Sequence, residues 1–95
     1  MGWKYSVIIL FTDFGLHGPY IGQMKAVLQR HASAVPVIDL FADAPCFNPK
    51  LSAYLLAAYV HEFPLDSVFL CVVDPGVGST RAPVIVRADG RWFVG

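Results

Sequence analysis

Charge is what this sequence has least of. Only 15% of its 95 residues are Asp, Glu, Lys or Arg, while 56% are apolar; an average soluble domain carries roughly 25% charged residues. Such a balance excludes intrinsic disorder, because the chain has ample apolar surface to offset the entropy of ordering. The seven basic and seven acidic residues cancel and are scattered. No basic stripe exists to displace counterions from a phosphate backbone, so nucleic acid is not expected as a partner. Cysteine is scarce too. Cys46 and Cys71 each stand alone among apolar neighbours, which excludes a disulfide framework and a cysteine metal motif and leaves two buried free thiols as the expectation. Long apolar runs are missing: the one near the start, Val7 to Phe11, falls far short of the roughly 20 residues needed to span a bilayer. No small-residue cleavage site follows it. The expected setting is the cytoplasm, with no membrane partner.

What is present is one α/β unit. A chain of this length makes about one domain, and residues 1–95 contain no linker, repeat or low-complexity tract. A globule this small buries only about 60 to 65% of its unfolded surface. So apolar a chain is expected to cover part of its surface against another subunit or a further segment.

Ser6 to Phe11 is a continuous β-branched and apolar run, the mark of a parallel strand covered on both faces. Pro19 is placed to open a helix, and Tyr20, Ile21, Met24, Val27 and Leu28 follow at helical spacing as far as His31. Val35 to Asp39 reads as a second strand. Pro49 to Glu62 reads as a second helix, capped by Asn48, with an apolar stripe at Leu51, Tyr54, Leu55, Ala58 and Tyr59. Ser67 to Val73 is a third buried strand, and Pro83 to Arg87 with Arg91 to Val94 form a hairpin across Asp89-Gly90. The fold class this order predicts is α/β: a mostly parallel sheet with helices on both faces and a terminal β-hairpin. The sequence stops at Gly95, straight out of an apolar strand, and is expected to be a truncated amino-terminal domain.

In such a sheet, ligands bind at the rim where parallel strands end. Three carboxylates are expected there: Asp13 after the first strand, Asp39 after the second and Asp74 after the third. Asp74 precedes Pro75, Gly76 and Gly78, and Arg81 follows seven residues on. An arginine folded back on it would keep Asp74 ionised, suited to orienting a water or hydroxyl. A purely structural turn closed by an Asp–Arg bridge fits the same spacing. A phosphate nest over Gly76 to Thr80 fits less well, since the P-loop lysine is missing. Asp13, followed by Gly15, suits either two hydrogen bonds to the vicinal hydroxyls of a ribose or the capping of its own loop. Phe47 either walls a sugar or base or packs in the core. His17, His31 and His61 share no chelating spacing, so no metal is expected.

Four blocks carry a resemblance. Leu10-Phe11-Thr12-Asp13-Phe14-Gly15, Pro19-Tyr20-Ile21-Gly22-Gln23-Met24-Lys25, Val72-Val73-Asp74-Pro75-Gly76-Val77-Gly78-Ser79-Thr80-Arg81 and Trp92-Phe93-Val94-Gly95 are similar, in order and spacing, to the amino-terminal signature of the S-adenosyl-L-methionine (SAM) hydroxide adenosyltransferases, the SAM hydrolases related to the fluorinases and chlorinases. The resemblance implies hydrolysis of SAM to adenosine and L-methionine by water or hydroxide attacking the ribose 5′ carbon, with SAM as a small-molecule nucleoside substrate and no cofactor or metal. It implies that Asp13 holds the ribose hydroxyls, that Phe47 packs on the sugar, and that Asp74 and Arg81 belong to an Asp, Arg, His set positioning the water. It also implies a trimer with sites between subunits.

The family histidine lies well beyond residue 95. An acidic residue usual in the family is replaced by Gly18, and an Asp-Ile-Thr-His pattern by Asp39-Leu40-Phe41-Ala42. The alternative expectation is an inactive truncated paralogue that serves as a nucleoside-binding or interaction remnant.

Overall fold

The computed structural model describes residues 6–45, 49–72 and 84–95. Five strands form one sheet: β1 (Ile8–Thr12), β2 (Val37–Phe41), β3 (Val68–Val72), β4 (Ile85–Ala88) and β5 (Arg91–Val94), in the order β2-β1-β3-β5-β4. The β1–β2, β1–β3 and β3–β5 pairs are parallel, and only β4–β5 is antiparallel. The expected α/β class, with its parallel sheet and terminal hairpin, is therefore the observed one.

The apolar run at the start becomes β1, with a neighbour on each edge. Ile9, Leu10, Phe11 and Thr12 are all fully buried, as an uninterrupted apolar strand requires when both faces are covered. One face carries the main core: Val7, Ile9, Phe69 and Val60 pack together with Ile38, Leu40, Leu56 and Phe93. Leu56 lies on helix α2 (Pro49–Tyr59), and Val60 begins the 3₁₀ turn Val60–Glu62 that extends it. Asp39, between Ile38 and Leu40, points to the other face, where it meets Lys25 of helix α1 (Tyr20–His31) at 2.6 Å. The two helices thus lie on opposite faces, as right-handed crossovers running in opposite directions along the sheet, β1 to β2 and then β2 back past β1 to β3, dictate.

Two expectations about these elements need correction. The second strand lies two residues later than the expected 35–39, because Ile8 pairs with Val37 while Val35 is still in the turn, its N–H bonded to the Ala32 carbonyl. Pro19, by contrast, opens α1 as expected: it stands at the N-cap, its carbonyl accepting the Gln23 N–H at 2.9 Å. The inner face of α2 is also displaced from the predicted stripe. Leu51, Tyr54 and Ala58 are exposed, while Leu55, Leu56 and Tyr59 are partly covered and Ser52 is buried. Ser52 can face inward because its hydroxyl donates to the Pro45 carbonyl at 3.3 Å. With apolar residues nearly all round that helix, spacing alone does not choose the face.

The hairpin turn is as read from Asp89-Gly90. Both residues have positive φ, 49° and 72°, the type I′ requirement that favours this dipeptide. A Cβ on Gly90 would come within 2.7 Å of Leu65 Cδ2, but Leu65 is exposed and can swing aside. Backbone strain therefore outweighs the contact. Gly90→Ala is expected to cost about 1 kcal/mol, measured by urea unfolding, and adding Leu65→Ala should not restore it. Recovery in the double variant would assign the cost to the side-chain contact instead.

Cys71 is a free thiol, half-buried, and burial pushes its pKa up to about 11. The free thiol is the expected one, although it is only partly buried where full burial was expected. Cys46 and the capping Asn48 lie outside the described residues.

Candidate functional site

The strand order places β1 between β2 and β3, while the chain visits β2 first. The chain therefore leaves β1 towards one edge of the sheet and leaves β3 towards the other, which makes the β1/β3 junction the topological switch point, where an open α/β sheet forms its ligand crevice. The two strand ends are in register. Thr12 pairs with Val72, and the Asp13 N–H donates to the Val72 carbonyl at 3.2 Å. Asp13 is half-buried on this rim. Val72 is the last described residue before the 73–83 segment, so Asp74 follows two positions beyond the partner of Thr12 in sequence. Asp74, Arg81 and Phe47 themselves lie outside the described residues.

The loop after β1 is shaped by local bonds. Gly15, at φ 96°, reaches a backbone region costly for other residues, and its N–H donates to the Ala42 carbonyl at 2.6 Å. The Ala44 N–H donates to Thr12 O at 2.9 Å, and the Thr12 hydroxyl approaches the Phe41 carbonyl at 3.5 Å. These bonds sew the β1 loop to the β2 loop along one side of the switch point. The β1 loop then returns on itself: the Phe14 and Tyr20 rings lie 6.0 Å apart at 54°.

Asp39 does not reach this rim. It occupies the middle of β2, paired with Leu10 across the β1–β2 ladder, and is bound to Lys25. Its expected place at the strand end falls to Asp43, exposed in the loop after Phe41. The two-residue error in β2 caused the miss, and the Ile8–Val37 pairing that corrects it is a long-range fact. The Phe14–Tyr20 pair was also missed as a unit, since rings six positions apart meet only because the glycine-bearing loop doubles back. Among the described residues no group of three His, Cys, Asp or Glu could hold a metal, and no helix is long and apolar enough to cross a membrane. His31 closes α1, and His61 lies 3.5 Å from Asp89 in an exposed pair far along the chain from the rim.

A family model described as the SAM hydroxide adenosyltransferase N-terminal domain matches residues 8–95. The chain is 40% identical over 89 residues to an (R)-S-adenosyl-L-methionine hydrolase of Thermus thermophilus, covering 93% of this chain and 34% of that protein. It is 34% identical over 93 residues to one from Methanocaldococcus jannaschii, covering 94% and 35%. It thus spans about a third of the length of these curated relatives. Among solved structures, a conserved hypothetical protein from Thermus thermophilus superposes with a TM-score of 0.82 at 35% identity, over 96% of this chain and 38% of the other.

Proposed function

Because the chain belongs to the SAM hydroxide adenosyltransferase family, through its N-terminal domain, we propose that it supplies the nucleoside-binding part of a site that hydrolyses SAM to adenosine and L-methionine. The observation that carries this is the in-register meeting of the β1 and β3 ends at the switch point, with Asp13 on one of them. A carboxylate there accepts both hydroxyls of a ribose, and Asp74 and Arg81 follow the adjacent strand in sequence.

In the proposed reaction the oxygen of water attacks the 5′ carbon while the carbon–sulfur bond breaks. The bonding pair leaves with sulfur as a neutral thioether, and the attacking water sheds a proton to solvent. A sulfonium is already a good leaving group, so the chemistry calls on no metal and little acid help. What it needs is a nucleophile held about 3 to 3.5 Å from carbon, in line with sulfur. Asp74, kept ionised by Arg81, orients that water and stabilises the positive charge growing on its oxygen. Phe47 packs on the sugar. In this reading the working assembly is a cytoplasmic homotrimer, which also covers the exposed apolar side chains of β4 and the helices.

Incubation with SAM and chromatographic detection of adenosine tests the proposal. Release should fall by about 100-fold or more in Asp74→Ala, the scale of losing a group that acts on the transition state; release unchanged by that substitution would refute the assigned role. Coverage of only a third of the relatives' length favours a second reading for the 95-residue chain alone, namely nucleoside binding without turnover. Adenosine binding by a folded sample that releases none from SAM would select it.

A further inference from the structure

Resting on the nucleoside site read above, we propose that Phe14 and Tyr20 form an aromatic wall that recognises the positive charge of a sulfonium ligand, setting a preference for the cation over its neutral thioether. Phe14 directly follows Asp13, and its ring lies 6.0 Å from that of Tyr20, the first residue of α1. Neither ring is taken up by the core: Phe14 is only half-buried, and Tyr20 is 60% exposed. Positive φ at Gly15 and Gly18, with the Gly15 N–H held by Ala42, brings the loop back so that the two rings meet.

The chemistry follows from what else the loop contains. Residues 14 to 20 read Phe-Gly-Leu-His-Gly-Pro-Tyr, and the first turn of α1 has no acidic residue. Beyond Asp13, the loop therefore offers a cation no further carboxylate, only π faces. The nearest lysine of α1, Lys25, is ion-paired with Asp39, which offsets its repulsion. When Asp13 holds the ribose hydroxyls, the sulfonium sits one bond from the 5′ carbon of the same sugar, close to the residues that follow Asp13. A cation within roughly 6 Å of an aromatic centroid is attracted by the ring quadrupole; a neutral thioether gains only dispersion.

The test measures affinities for SAM, its neutral thioether S-adenosylhomocysteine, and adenosine by calorimetry, in an Asp74→Ala background so that turnover does not intrude. Tyr20→Leu and Phe14→Leu should each lower the ratio of SAM to thioether affinity by about 3- to 30-fold while leaving adenosine affinity within about twofold. Tyr20→Phe should keep the ratio. A merely structural role would weaken both ligands together and leave the ratio unmoved, and an unchanged ratio in both leucine variants with adenosine still bound overturns the inference alone. If the parent chain binds no adenosine, the nucleoside-site reading fails and this inference falls with it.

Discussion

Replacing Arg91 by alanine is expected to lower the thermal midpoint by roughly 10 to 20 °C, the shift that a loss of about 2 to 4 kcal/mol produces in a domain of this size. Arg91 has only 8% of its surface exposed, and its partners are carbonyls rather than carboxylates. Its Nε and Nη2 donate to the Phe63 carbonyl at 3.2 and 2.5 Å, and Nη1 donates to the Asp89 carbonyl at 2.8 Å. Phe63 is the residue that closes the 3₁₀ turn at the end of α2. Phe63 is extended (φ −113°, ψ 151°), so its carbonyl turns away from the helical ladder and takes its donors from Arg91 instead. One guanidinium therefore ties the α2 end to the β4–β5 turn, across 28 residues of sequence.

Removing it leaves carbonyls short of donors and deletes charge-assisted bonds worth about 1.5 to 3 kcal/mol each. Water entering the gap recovers part of this, which brings the loss to about 2 to 4 kcal/mol, a large share of a typical stability of about 5 to 15 kcal/mol. Circular dichroism melts of Arg91→Ala and Arg91→Lys check it. Lysine supplies a charge without the planar fork, so it should fall between wild type and alanine. An alanine variant that melts with the wild type would show that these bonds contribute nothing net.

The second large effect concerns binding. Asp13→Ala should weaken adenosine by about 10- to 100-fold, the equivalent of about 1.5 to 3 kcal/mol for hydrogen bonds to an ionised acceptor. The backbone bond from Asp13 to Val72 survives the substitution, but loss of the carboxylate also alters the loop around it, so affinity for adenosine alone does not isolate ribose recognition. A ligand change separates the two causes. 2′,3′-Dideoxyadenosine lacks the hydroxyls, and it should bind wild type and Asp13→Ala with equal, weak affinity. Equal affinities of wild type for adenosine and the dideoxy analogue would remove Asp13 from ribose recognition, whatever the variant does.

Much of the fold was legible because local and global preferences agree in it. The run that became β1 could only be a strand covered on both sides, and Asp89-Gly90 could only be a tight turn with positive φ. The Asp13 rim was legible for the same reason: a carboxylate that ends a buried apolar strand has nowhere to go except the sheet edge. Asp39 was not. Its distance from the rim depends on the register of β2 against β1, and register is fixed by partners more than two dozen residues away.

The amino acids by themselves determined the α/β class, the hairpin, the family and the position of Asp13, because each rests on patterns within a few residues or on blocks of signature. Tertiary structure alone decided which face of α2 turns inward, that Asp39 pairs with Lys25, that Arg91 is buried on carbonyls, and that Phe14 meets Tyr20. The physical reason is one of range. Periodicity and turn chemistry are local free energies, whereas register, helix rotation and the burial of a charge are settled by groups brought together only when the whole sheet closes.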